Sequence, residues 1–113
     1  MDAAFVAKVG EEVIPYGQAD AESGTLTIQS SPAPTYTLYD ASGAIVTGHN
    51  AQAVTGYDTA AGDPVKVWKS LDTSALAAST YVMAFKFKVQ QSVDGLFRTR
   101  KPNVMVVIQE PYE

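Results

Sequence analysis

The stretch Tyr81-Val-Met-Ala-Phe-Lys-Phe-Lys-Val-Gln90 decides the fold class of this chain. Every second side chain in it is large and apolar, and the residues between them are smaller or charged. The predicted core face consists of Tyr81, Met83, Phe85, Phe87 and Val89. A period of two is typical of a strand with one face in the core and the other toward solvent. The stretch therefore predicts a long antiparallel strand across residues 81–90.

Shorter segments with strand character occur on both sides of this stretch. They cover residues 3–9, 25–30, 35–40, 44–47, 52–57, 65–70, 96–100 and 104–110. Turn formers such as Asp40-Ala-Ser-Gly43 and Asp94-Gly95 separate several of them. About seven or eight short strands in a chain of 113 residues predict one all-β domain over residues 1–113. The predicted architecture is an immunoglobulin-like, Greek-key antiparallel β-sandwich, and a small barrel is the alternative.

The segment Leu-Asp-Thr-Ser-Ala-Leu-Ala-Ala-Ser-Thr-Tyr, residues 71–81, favours the sandwich. A leucine followed five residues later by a tyrosine that begins a long strand is similar to the tyrosine corner of Greek-key sandwiches. In that corner the Tyr81 hydroxyl returns to backbone a few residues upstream, and Leu76 fills the gap between the sheets. We therefore predict Leu76 and Tyr81 as a structural corner.

Several of these features together resemble the small immunoglobulin-like modules of tailed-phage and prophage structural proteins. They are the Asp40–Gly43 turn followed by Ala-Ile-Val, the mid-chain Trp68, the LDTSAL segment, Tyr81 at the start of a strand, Asp94-Gly95 and a valine-rich last strand. The resemblance covers residues 24–110, and bacterial surface immunoglobulin-like domains share much of it. It implies a structural component of a virion, found in the particle or in the cytoplasm of a bacterial host.

Composition excludes several function classes. The absence of cysteine removes thiol nucleophiles, iron-sulfur clusters, cysteine zinc sites and disulfides. The first twelve residues show no export signal, and no apolar run approaches the roughly 20 residues that cross a bilayer. We therefore expect a protein without a membrane span.

The sequence shows no catalytic constellation. The single histidine, His49, lies in a predicted loop with no visible partner and is interpreted as a solvated loop residue. Glu11 and Glu12 are adjacent and point to opposite faces of a strand, so they form a poor acid–base pair. Asp72 is predicted to cap a turn. We therefore expect no enzyme activity, no metal and no cofactor, while an enzyme using His49 with a loop carboxylate stays a remote alternative.

Charge divides the chain into two halves. Residues 1–65 carry eight acidic residues and one lysine, whereas residues 66–101 carry seven basic residues and two acidic ones. This asymmetry suggests contacts with protein partners, including head-to-tail self-association. The net charge of −4 argues against nucleic-acid binding.

The basic strands also predict a possible interaction face. Its proposed members are Lys66, Trp68, Lys86, Lys88, Arg98 and Arg100. By analogy with other sandwiches, Trp68 is the tryptophan of the core between the two sheets. Its alternation with Lys66 instead places it on a solvent-exposed sheet face. Both interpretations stay open. Lysines at such positions also simply keep a strand soluble. The leading function is a non-enzymatic structural or interaction protein, and the alternative is a carbohydrate-binding module using Tyr39, Tyr57 or Trp68.

Overall fold

The computed structural model describes residues 4–110, and all regular structure within this range is β-strand. The strands are β1 (Ala4–Lys8), β2 (Glu12–Val13), β3 (Tyr16–Ala19), β4 (Leu26–Ile28), β5 (Thr35–Tyr39), β6 (Gln52–Ala53), β7 (Gly56–Tyr57), β8 (Val65–Trp68), β9 (Leu71–Asp72), β10 (Ser79–Gln91), β11 (Phe97–Arg100) and β12 (Asn103–Gln109). The all-β prediction is therefore confirmed. Across residues 4–110 the chain forms no helix of the length and apolar character that crossing a membrane requires.

The long strand β10 organises the main sheet. Its first half pairs with β12 on one side and with β5 on the other, and its second half pairs with β11 and β4. The strand β1 continues the sheet beyond β12 as a parallel neighbour, and β6 continues it beyond β5. Thirteen residues of extended chain give the molecule its long axis, which measures 53 Å against 23 and 21 Å across. The main sheet therefore has strand partners on both sides of β10 along most of its length.

A smaller layer packs against the main sheet. It consists of the sheet β3-β8-β7 and the short pair β2-β9. Val65 and Val67 of β8 are fully buried, as are Leu38 and Met83 of the main sheet. These side chains belong to one core cluster. The alternation in residues 81–90 correctly predicted which face of β10 contributes to this cluster. The arrangement is consistent with a β-sandwich.

The strand β3 was missed by the sequence prediction, because Pro15-Tyr16-Gly17 has the composition of a chain break. Small residues hide its alternation: Gly17 and Ala19 are buried, and Tyr16 and Gln18 are exposed. A Cβ on Gly17 would lie only 2.8 Å from Phe85 Cδ2 and 2.8 Å from Pro102 Cγ. Glycine at this position therefore allows the two layers to approach closely.

Two other segments also differ from the prediction. Residues 52–57 were expected to form one strand, but β6 pairs with β5 in the main sheet whereas β7 pairs with β8 in the smaller one. Residues 44–47 were expected to form a hairpin strand, but they contribute only an isolated bridge between Tyr39 and Ile45. Residues 52–57 cross from one layer to the other, and residues 44–47 run along the edge of β5. In both segments too few ladder hydrogen bonds form to continue a strand.

The predicted tyrosine corner is present. The Tyr81 hydroxyl donates a 2.8 Å hydrogen bond to the carbonyl of Ala77, four residues upstream. Both Leu76 and the Tyr81 ring are buried, and the Leu76 amide donates to the carbonyl of Thr73. The corner therefore closes the turn that leads into β10.

Removing this hydroxyl with Tyr81→Phe is expected to lower the free energy of unfolding by about 1 kcal/mol, because the Ala77 carbonyl loses its donor. Urea denaturation followed by circular dichroism measures the change. Tyr39→Phe is the matched control, since the Tyr39 hydroxyl has no hydrogen-bond partner among residues 4–110. Equal losses in the two variants would contradict the role of the corner.

Candidate functional site

The solvent-facing side of the main sheet, called here the outer face, can be read directly from the strand register. Residues opposite each other in neighbouring strands point to the same side of a sheet. Because Tyr81, Met83 and Phe85 point into the core, the alternate residues of β10 point outward. Those alternate residues are Thr80, Val82, Ala84, Lys86, Lys88 and Gln90. Their partners on neighbouring strands complete the outer face.

One end of the outer face is apolar. We call it the valine patch, and it consists of Ala4, Val6, Val82, Met105 and Val107. Val6 lies opposite Val107, and Met105 lies between Ala4 and Val82. Val6 is 58% exposed, although it belongs to a paired strand. The solvent side of an antiparallel sheet is usually polar, so this end departs from the usual pattern.

The middle of the outer face is polar and concave. We call it the lysine groove, and its lysine, threonine and asparagine members are Thr35, Thr37, Lys86, Lys88, Thr99, Lys101 and Asn103. Two adjoining hollows of about 260 and 570 Å³ form it, and both include Thr35, Ala51 and Lys86 in their walls. The register places Thr35 opposite Lys86 and Thr99 opposite Lys88. Each of these two lysines therefore has a threonine as its cross-strand neighbour in the groove.

Beyond the groove, the turn between β10 and β11 displays apolar side chains. Val93, Leu96 and Phe97 are each about half exposed, and Lys88 Nζ lies 4.6 Å from the centre of the Phe97 ring. Asp94 shapes the turn by accepting a hydrogen bond from the Leu96 amide. Phe97 lies opposite Gln90 of β10, so its ring points to the outer face and away from the core.

The six residues predicted as one interaction face lie on three different surfaces. Lys86 and Lys88 belong to the lysine groove on the outer face. Arg98 and Arg100 lie opposite Val89 and Phe87, so they point to the other side of the main sheet. The remaining two, Lys66 and Trp68, lie on the solvent side of the smaller layer. The predicted single face is therefore not formed.

Trp68 occupies the outer side of β8, and the analogy with a core tryptophan is wrong for this chain. Its neighbours Val65 and Val67 fill the core, and Trp68 has the opposite parity. The indole covers the backbone of Gly56, where a Cβ would come within 2.6 Å of the ring. Lys66 Nζ lies 4.7 Å from the Tyr16 ring centre on the same side. The Trp68 indole therefore packs on the solvent side of the smaller layer, over the adjacent strand β7.

Comparison with known proteins found no match. No protein-family model matches the chain, and no curated protein or solved structure is significantly similar to it.

His49 is not the solvated loop residue that its sequence context suggested. Its Nδ1 atom shares a 2.7 Å hydrogen bond with the hydroxyl of Tyr36, whose ring is buried. Partial burial lowers the pKa of His49, and the positive charge of Lys69 lowers it further. Burial also raises the pKa of Tyr36. The pair therefore ties the loop that carries His49 to the buried ring of Tyr36 in β5.

The loop carboxylates hold turns together. Asp72 accepts a hydrogen bond from the Ser74 amide, which confirms its predicted capping role. Asp58 accepts from the Lys66 amide, and Asp63 accepts from the Ala21 amide across the molecule. Within residues 4–110 there is no group of three histidine, aspartate or glutamate side chains that could hold a metal ion. These carboxylates are thus committed to backbone contacts.

The pairing of His49 predicts a pH dependence of stability. The folded chain has a lower histidine pKa than the value of 6.5 for a free side chain, so the unfolded chain binds the proton first as pH falls. The free energy of unfolding should therefore decrease as pH drops through about 6.5 and level off below the folded pKa. Asp40 and Asp72 do not interfere, because their pKa values are lowered from 3.8.

Urea unfolding between about pH 5 and pH 7.5 measures this dependence. In His49→Gln the decrease over this window should disappear, because the variant has no imidazole to protonate. A His49→Gln variant that keeps the full decrease would show that another group causes it.

The strand β10, which lies in the basic segment, pairs with β4 and β5 from the acidic segment. Neither β4 nor β5 carries an acidic side chain. Head-to-tail self-association through the two charged segments therefore stays a prediction.

Proposed function

We propose that this chain is a non-enzymatic structural or interaction protein that contacts another protein through the valine patch. The resemblance described above supports placing it in a phage or prophage particle, in the virion or in the cytoplasm of a bacterial host. The observation that carries the proposal is the apolar character of the outer face at Val6, Val82, Met105 and Val107.

Leaving an apolar surface of this kind in water forgoes the free energy that its burial would release. Burying one valine or methionine side chain contributes about 1.5–3 kcal/mol, and this contribution is lost where the side chain stays in water. Contiguous apolar patches rimmed by polar residues are typical of protein-binding surfaces. Here Lys8 and Gln109 border the patch at one end, and Thr37 and Asn103 border it at the other. The patch thus has the composition of an interface centre with a polar rim.

The groups that could carry chemistry support the non-enzymatic part of the proposal. His49 is paired with Tyr36, and Asp58, Asp63 and Asp72 hold backbone amides. A general acid or base needs a free position within reach of a substrate. These four side chains serve turns and packing instead.

The test compares Val6→Glu with Val93→Glu in the organism that encodes the chain. The two valines are 58% and 57% exposed, so both variants add the same charge at equally exposed positions. Gradient sedimentation of a cell extract should place the wild-type chain in a complex far larger than 12.0 kDa. Val6→Glu should release the chain from that complex, whereas Val93→Glu should remain bound. A wild-type chain that sediments as a monomer would contradict the proposal.

Light scattering with size exclusion on the purified chain identifies the partner class. A concentration-dependent increase in mass that Val6→Glu abolishes indicates self-association through the patch. A purified monomer that nevertheless sediments in the large complex indicates a different protein as the partner. Circular dichroism of both variants confirms that each one folds.

A further inference from the structure

We propose that the lysine groove binds an anionic oligosaccharide, with its carboxylate or sulfate groups at Lys86, Lys88 and Lys101. This goes beyond the proposed protein contact, because it uses a different part of the outer face. The proposal rests on the shape of the groove, on the charges within it and on the polar groups beside them.

The cations of the groove carry uncompensated charge. Lys86 and Lys88 are separated by one residue on β10, which places them about 7 Å apart along the strand. Lys101, directly after β11, joins Lys86 in the wall of the larger hollow. No acidic side chain among residues 4–110 forms an ion pair with any of the three. An anion entering the groove would thus meet three ammonium groups without an acidic partner among residues 4–110, of which Lys88 also contacts the Phe97 ring.

The remaining polar groups suit sugar hydroxyls. Thr35 and Thr99 lie opposite Lys86 and Lys88, while Thr37 and Asn103 lie on either side of Ala84. Hydroxyl and amide groups both donate and accept hydrogen bonds, as sugar hydroxyls require. The Thr37 hydroxyl already accepts from the Ala51 amide at 2.9 Å, so its own proton is available to a ligand. The floor of the groove therefore offers hydrogen bonds in both senses beside the charges.

Tyr39 and the small residues of the wall complete the shape. Tyr39 lines the larger hollow, where its half-buried ring offers an apolar surface to a sugar face. Pro32, Ala33 and Ala51 line the smaller hollow with small apolar side chains. The two adjoining hollows, of about 260 and 570 Å³, together favour a chain of sugar units over a single small anion.

The position of the groove argues against a peptide strand as its ligand. The groove lies on the face of the sheet, and β10 already has strand neighbours on both edges. An extended peptide therefore cannot add main-chain hydrogen bonds there, which is how such segments usually bind a sheet. The net charge of −4 repels a long polyanion beyond the groove and favours a short one.

Isothermal titration calorimetry with defined probes tests the proposal. The probes are a sulfated heparin tetrasaccharide, a carboxylated tetragalacturonate, the neutral maltotetraose and a hexaglutamate peptide. We expect at least one anionic tetrasaccharide to bind at least about tenfold tighter than maltotetraose and hexaglutamate. Which of the two binds distinguishes a sulfated from a carboxylated ligand. Binding should weaken as salt concentration rises.

A pair of double variants with equal charge changes tests the site. Lys86→Gln combined with Lys101→Gln should weaken binding at least about tenfold. The matched control is Lys66→Gln combined with Arg98→Gln, two positions outside the groove, and it should change binding less than about twofold. Both doubles are at solvent-accessible positions, so circular dichroism should show unchanged folding.

Four outcomes would overturn the proposal. These are no binding of either anionic tetrasaccharide, equal losses in the two double variants, maltotetraose binding as tightly as the anionic probes, and hexaglutamate binding as tightly as they do. The last would indicate an acidic polypeptide as the ligand. Val6→Glu should leave oligosaccharide binding unchanged, so failure of the protein contact and failure of the groove can be distinguished.

Discussion

Replacing Phe85 with alanine is expected to lower the free energy of unfolding by about 3–5 kcal/mol. The ring is 1% exposed and lies at the centre of β10, where the two layers meet over Gly17. Its removal takes away the burial of an aromatic side chain and leaves a cavity that the surrounding strands can fill only in part. Because domains of this size are stable by about 5–15 kcal/mol, the loss is a large fraction of the total.

Urea denaturation with the midpoint and slope both fitted is the measurement. Phe97→Ala is the matched control, because it removes the same type of side chain from a position that is 49% exposed, at the start of β11. That variant should lose less than about 1 kcal/mol. If Phe85→Ala does not fold, Phe85→Leu should still show a loss of about 1–1.5 kcal/mol, since leucine fills most of the space. A loss of less than 1 kcal/mol in Phe85→Ala would contradict the assigned core face.

The second large effect is expected from Gly17→Ala, which should cost about 1–3 kcal/mol. The added methyl group would lie 2.8 Å from Phe85 Cδ2 and from Pro102 Cγ, so the layers would have to separate. In a close-packed interior such a displacement propagates to the neighbouring side chains.

A double-mutant cycle identifies the cause of this cost. In a Phe85→Leu background the same Gly17→Ala change should cost clearly less, because the smaller side chain makes room for the methyl group. Gly62→Ala is the control: a Cβ there has its nearest neighbour, the Pro64 carbonyl oxygen, at 3.4 Å. Its effect should be within about 0.5 kcal/mol. Additive costs at Gly17 and Phe85 would contradict the close approach described here.

The two candidate surfaces share one face of the sheet and differ in chemistry. The valine patch lies on the β1, β12 and β10 strands, whereas the lysine groove lies further along β10 toward β11. Tyr39 lies opposite Val82, where the two surfaces meet. Thr37 and Asn103 border the patch and also line the groove, so the two surfaces adjoin. Val6 and Lys86 each belong to only one of them, so the two binding activities can be tested with separate variants.

Local patterns were sufficient to predict the inner face of β10 and the tyrosine corner. The alternation of residues 81–90 matches the buried side of the strand, and Tyr81 contacts Ala77 only four residues away. Both depend on neighbours within a few residues, because a strand repeats every second residue and the corner is a short turn. Local sequence patterns therefore predicted correctly that the fold is all-β and which face of β10 lies in the core.

Other features could not be predicted, because they depend on which distant segments become neighbours. His49 contacts Tyr36 through a loop, and β3 is a strand because it pairs with β8, which lies far along the chain. The turn-forming composition of these segments gave no sign of either contact. The signal that could have found β3 was the alternation of small and polar residues from Pro15 to Asp20.

The sequence by itself determined which residues of each strong strand point inward, since this follows from the period of two along one segment. Only the tertiary structure decided which outward residues share a surface. Lys86, Trp68 and Arg98 all alternate with apolar residues, yet they lie on three different surfaces, because strand pairing and layer assignment are set by contacts between segments far apart in the chain. The same long-range pairing brought Thr35 beside Lys86 and so formed the lysine groove.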